Sequence, residues 1–130
     1  MSLKLSREWV ERAEEDYQAA LALSKKKKPS FLNSVCFHSQ QAAEKYFKSY
    51  LALKGISFPK THDLILLKNL CIKEEGDFEL VGDLAIALNP YAVEFRYPGE
   101  RATRVDVKRA LASTIEIREF LRRKIQSSRR

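Results

Sequence analysis

The chain has 130 residues, 45% hydrophobic and 32% charged, with only four Gly and four Pro. That is enough for one domain with a core, and it argues against disorder and against an all-β fold, which needs many turn residues. No apolar run approaches the ~20 residues that cross a bilayer, and two cysteines without a C-x-x-C spacing give neither a disulfide framework nor a thiolate zinc site, so a cytoplasmic protein with no membrane association is expected.

The first helix is predicted from Ser6 to about Leu23, where Trp9, Ala13, Tyr17, Ala20, Leu21 and Leu23 repeat with a 3.6-residue period. Lys25 to Lys28 complement its dipole and Pro29 stops it, so the Lys run needs no ligand to explain it. Asp16 projects onto the apolar side, where a carboxylate must be paired or sit at the rim. Ser30 is the expected cap of a second helix that reaches Lys54 and ends at Gly55. Leu32, Val35, Cys36, Ala42, Ala43, Tyr46, Phe47, Tyr50 and Leu53 share its core face. Ser34, His38, Gln41, Lys45 and Lys48 form a polar stripe on the other side, either a solvated face or a site, with Phe37 an aromatic exception among them.

Thr61 is the expected N-cap of a third helix through Leu64, Leu67, Leu70 and Cys71, which puts His62 and Asp63 in its first turn. A fourth helix is expected from Phe78 through Leu88, ended or kinked by Pro90. Thr103 and Asp106 read as a capping box opening the last helix, with Val107, Ala110, Leu111, Thr114, Ile117 and Leu121 inward. The fold expected is all-α, an antiparallel up-and-down bundle of four long helices plus a shorter or kinked one. It forms one domain over residues 1–126, with a frayed basic tail at 127–130.

The net charge of +7 is uneven, because residues 96–130 alone sum to +7. Such an end suits a phosphate backbone or an acidic partner, and a solvated helix with an Arg tail accounts for it equally well. Chemistry is sparse. There is no G-x-S-x-G, no Gly-rich phosphate loop, no H-E-x-x-H and no carboxylate cluster at di-metal spacing, and Cys36 and His38 point ~200° apart on one helix. No metal or cofactor is expected. What remains is a phosphate-friendly set: His38, Lys45, Lys48, His62 and Arg96. His62-Asp63 reads equally as capping chemistry. Arg96, between Phe95 and Tyr97 and before Pro98-Gly99, suits stacking or phosphate binding, and a salt bridge with Asp16 or Glu44 suits it as well.

Taken together, Trp9, Ala13, Asp16-Tyr17 and Ala20, then Phe37-His38, Gln41-Ala42-Ala43-Glu44-Lys45, then Pro59, Thr61-His62-Asp63-Leu64, then Tyr91 and Arg96-Tyr97-Pro98, resemble the HEPN family (higher eukaryotes and prokaryotes nucleotide-binding) over nearly the whole chain. The resemblance implies a helical bundle that is usually dimeric. It also implies pairing with a separately encoded minimal nucleotidyltransferase in two-gene modules of toxin–antitoxin type. Many members are metal-independent ribonucleases marked by an Arg, four to six residues, then a His. Counted from Arg96 those positions hold Arg101, Ala102 and Thr103, so the signature is absent. The expectation is therefore a domain that binds a nucleotide or RNA phosphate through Arg96, His62, His38 and Lys45, with Tyr97, Tyr91 and Phe37 as stacking or interface surfaces. Two alternatives stand beside it: a ribonuclease toxin with a degenerate motif, and a non-enzymatic dimeric adaptor.

Overall fold

A computed structural model describes residues 2–26, 28–95 and 97–128, and among them are five α-helices and no strand. Helix α1 (Leu3–Lys25) starts one turn before the sequence pattern suggested, because Ser2 caps it by accepting from the Leu5 N–H at 3.0 Å. Pro29 opens a 3-10 turn, Pro29–Phe31, that feeds directly into α2 (Leu32–Lys54). The expected Ser30 cap is not used. The turn meets the first donors with backbone instead, since the Leu32 N–H bonds the Pro29 carbonyl and no side chain caps α2. Gly55 ends the helix in the left-handed region at φ 71°, where a side chain would be strained.

Helix α2 is the centre of the molecule, with 17 of its 23 residues buried. Every residue assigned to its core face from the sequence is among them. α1 packs along it antiparallel, closed at the far end by the Ser2 N–H on the Ala52 carbonyl at 3.2 Å. The connection 55–63 then doubles back over α2, pinned where the Gln40 Nε2 donates to the His62 carbonyl at 2.8 Å. Helix α3 (Leu64–Glu74) follows. Its cap is Asp63, which accepts from the Ile65 and Leu66 N–H groups, while Thr61 Oγ1 accepts from the Asp63 N–H. The expected Thr61 cap is thus two residues early, and His62 and Asp63 precede the helix instead of forming its first turn.

The segment expected as one fourth helix is divided into a 3-10 stretch, Gly76–Val81, and a short α4 (Gly82–Leu88). Pro90 ends it in a further 3-10 turn, Asn89–Ala92. Asn89 reaches across to accept the Leu64 N–H at 2.8 Å, tying this corner to the start of α3. The capping box is formed as read: Thr103 Oγ1 accepts the Asp106 N–H at 3.1 Å and Asp106 Oδ2 accepts the Thr103 N–H at 2.8 Å. Helix α5 (Arg104–Ser128) then runs in the same direction as α2, in register with it through Ala102 N–H on Asn33 Oδ1 and Thr114 Oγ1 on the Ser39 carbonyl. Ser127 and Ser128 are within α5, and Arg129 and Arg130 lie outside the described residues.

Between these helices Phe78 is fully buried, 4.6 Å from Tyr50, 5.1 Å from Phe120 and 6.4 Å from Phe47, ring centre to ring centre. Among the described residues no helix is long and apolar enough to cross a membrane.

Candidate functional site

The polar stripe of α2 is not a solvated face. Gln41 and Lys48 are 8% and 6% exposed, because α1 covers one margin of the stripe and the 55–63 connection covers the other. Burying so many polar groups is tolerable only if each is paired, and two carboxylates do the pairing.

Asp16 of α1 holds the first cluster. Its Oδ1 takes the His38 Nδ1 at 2.8 Å and its Oδ2 takes the Lys45 ammonium at 2.5 Å. Of the two alternatives open to a carboxylate on the apolar side of α1, a partner or a place at the rim, the fold takes the first, and the partners come from α2. Glu44, only 2% exposed, holds the second. Its Oε1 meets the His62 Nδ1 at 2.8 Å and the Gln41 Nε2 at 3.5 Å, and its Oε2 meets the Lys48 ammonium at 2.9 Å. Lys48 lies in turn over the rings of Trp9, at 5.1 Å, and Phe58, at 5.9 Å. Each cluster sets one carboxylate against one ammonium, so neither offers a strong net charge to an anion.

Both histidines are thus anchored through Nδ1 on the same side of α2, with Gln41 between their anchors. They differ in access: the His62 side chain is 71% exposed and that of His38 is 31% exposed. Phe37 sits edge-on to His38, ring centres 5.6 Å apart, and is 43% exposed. Of the residues singled out from the sequence, the fold brings His38, Lys45, His62 and Phe37 to this face.

Arg96 lies outside the described residues, as does Lys27 of the Lys25 to Lys28 run. Asp16 and Glu44, the partners considered for Arg96, are engaged as described above. The neighbours of Arg96 are informative. Phe95 has a positive φ of 65°, which for a bulky residue costs on the order of 1–3 kcal/mol and needs support. That support is Tyr91, whose ring stacks on Phe95 at 5.9 Å and whose hydroxyl donates to Asp106 Oδ1 at 3.2 Å. Tyr97 is 73% exposed. Tyr91 is therefore a brace for this corner, whereas Tyr97 is open to a ligand or partner.

Two further carboxylates, not singled out in the sequence, fasten the long helices to one another. Glu14 accepts from Tyr46 and, with both oxygens, from Arg118, joining α1, α2 and α5. Glu75 accepts from Tyr50 at 2.5 Å and Lys124 at 2.6 Å, and Lys124 also pairs with Asp77. Burial pushes the Glu14 carboxyl up, but the hydrogen bonds from Arg118 and Tyr46 outweigh it and hold it below its ordinary value of 4.5. Hydrogen bonds from Lys124 and Tyr50 depress Glu75, and the Thr103 backbone N–H does the same for Asp106. Groups depressed on folding contribute stability that is fully present above their unfolded values and is lost as pH falls through the folded ones. Urea midpoints should accordingly fall steeply below about pH 4.5, and should do so less in Glu14→Gln or Glu75→Gln, which start lower and lack one of these groups.

Among the described residues no group of three or more His, Cys, Asp and Glu side chains is placed to hold a metal ion. The burial of Cys36 raises its thiol to about 12, assisted by the nearby Asp106 and Glu94 charges, so it is a core residue and not a nucleophile.

Fold and site together define an all-helical bundle domain built around one buried helix with two carboxylate-anchored histidines. The chain belongs to the HEPN domain family, whose profile matches residues 6–124. Two crystal structures resemble it in fold: ST0689, described as an archaeal HEPN homologue, with a TM-score of 0.73, and TT1696 from Thermus thermophilus, with a TM-score of 0.77. Each is 23% identical and the match covers 92% of this chain and 97% of the other. No curated protein matches the chain.

Proposed function

We propose that this HEPN domain binds a nucleotide or an RNA phosphate at the open side of α2 and acts, as a homodimer in the cytoplasm, as the partner subunit of a minimal nucleotidyltransferase in a two-gene module of toxin–antitoxin type. The observation that carries the binding reading is the pair of anchored imidazoles, His38 on Asp16 and His62 on Glu44, held on one face with the exposed ring of Phe37 beside them. Rings fixed in this way are suited to orienting a ligand, and a half-exposed aromatic among polar groups is suited to stacking or to an interface. In this reading Arg96 supplies the charge that the two neutralised clusters do not, and Tyr97 a stacking surface. The missing Arg-to-His spacing favours binding over cleavage.

Titration of a labelled nucleotide and a short RNA into the purified protein, with His38→Ala and His62→Ala alongside, tests the site. Weakened binding in both variants supports it, and unchanged binding in both rules it out. Co-expression with a small nucleotidyltransferase encoded next to it tests the partnership, by whether the two purify as one complex. Light scattering at tens of micromolar should give twice the 15.0 kDa chain mass, and Phe37→Glu should shift it toward the monomer by burying a charge if this face is the interface.

A further inference from the structure

The hydrogen bond that anchors His62 also decides what its free nitrogen can recognise. A carboxylate accepts hydrogen bonds and donates none, and Glu44, paired with the Lys48 ammonium at 2.9 Å, faces the His62 Nδ1 at 2.8 Å. The proton of the neutral ring is therefore on Nδ1, and Nε2 carries a lone pair. The residue is held at its backbone as well as its ring, because the His62 carbonyl is bound by Gln40, whose own side-chain oxygen accepts from Gln41 at 2.7 Å. With the side chain 71% exposed, Nε2 is presented as a fixed hydrogen-bond acceptor.

Phosphate oxygens are acceptors too, and they are repelled by such a lone pair. The part of a nucleotide that faces Nε2 must instead carry a donor. Beside a phosphate in a polynucleotide, the sugar donor left free by the backbone esters is the ribose 2′-hydroxyl, the group by which proteins distinguish RNA from DNA. We propose that His62 accepts a hydrogen bond from a ribose 2′-hydroxyl and so makes this domain selective for ribonucleotides over deoxyribonucleotides. This rests on the nucleotide- or RNA-binding reading above and assigns His62 a sugar-reading role in place of a phosphate contact. His38 is less suited to the task, since its side chain is 31% exposed.

The test compares a fluorescein-labelled ten-nucleotide RNA with DNA of the same sequence, titrated into the full chain. A neutral hydrogen bond gives an RNA preference of roughly two- to ten-fold. His62→Ala should abolish that preference, and His62→Gln, whose amide oxygen is also an acceptor, should keep part of it. A long-range proton–nitrogen NMR correlation of the wild-type imidazoles should show His62 with its proton on Nδ1. RNA and DNA binding equally to the wild type, a preference that survives His62→Ala, or a His62 proton on Nε2 would each overturn the inference while leaving the binding reading intact. Binding of neither oligonucleotide would overturn both.

Discussion

Glu44→Ala is expected to destabilise the fold by about 3–5 kcal/mol, because it leaves the buried Lys48 ammonium without its counter-charge. Few single changes here reach as far. The same carboxylate holds His62 and Gln41, so its loss also removes one tie of the 55–63 connection to α2, leaving the Gln40 bond to the His62 carbonyl. For a domain of this size that corresponds to a fall in melting temperature on the order of 10–20 °C, readable by calorimetry or circular dichroism. The stacking of Lys48 over Trp9 and Phe58 softens the loss without replacing the ion pair. The decisive comparison is the double variant Glu44→Ala/Lys48→Met, which removes both charges and keeps an apolar stem. It should be clearly more stable than Glu44→Ala alone. If the two variants melt together, the cost of Glu44→Ala comes from lost packing and not from a stranded charge.

These networks explain which parts of the molecule were legible in the sequence. The core face of α2 was read residue by residue, because a 3.6-residue apolar period reports burial directly. The capping box at Thr103 and the stop at Gly55 were legible for the same reason, being local chemistry. The polar stripe was not, since helical projection shows that Gln41 and Lys48 avoid the apolar core but cannot show that a second layer of chain lies over them. That layer is the 55–63 connection, which has no periodicity of its own and is placed by Gln40, Glu44 and the Trp9–Phe58 contact. Its one local signal was misplaced by two residues, as Thr61 and Asp63 are both good caps and only the fold selects Asp63. Asp16 marks the boundary between the two cases. That it had to be paired or sit at the rim followed from projection alone, whereas the choice of pairing, and of His38 and Lys45 as the partners, required the packing of α1 on α2. The bridges from Glu14 and Glu75 to α5 span too much sequence for any pattern to reveal.

Arg96→Ala is expected to weaken binding of a phosphate-bearing ligand by roughly ten- to a hundred-fold, the equivalent of losing one charge-assisted hydrogen bond worth ~1.5–3 kcal/mol. Arg96 itself is outside the described residues, so the expectation rests on its setting. In the proposed site the histidine face would orient a ligand but offers little charge, since Asp16 neutralises Lys45 and Glu44 neutralises Lys48. On that proposal a phosphate needs a permanent cation from elsewhere. The corner before Arg96 is held in an uncommon backbone conformation at Phe95, braced by Tyr91, and such strain is retained where the surrounding structure fixes it. In sequence Arg96 follows that corner and precedes the exposed Tyr97, and a guanidinium between two aromatic residues suits phosphate or stacking contacts. The Lys25 to Lys28 run is the contrasting case. Lys25 lies in the last turn of α1, where it complements the helix dipole, and Lys25, Lys26 and Lys28 are exposed to solvent and screening. Replacing the run with Gln should change binding by less than about three-fold at physiological salt, as screened surface charges contribute little. Titration of one labelled nucleotide into the two variants ranks them directly. Retention by Arg96→Ala together with loss in the Lys variant would move the binding surface to the α1–α2 corner, where the ligand would be held by charge alone and the anchored histidines would have no part in it.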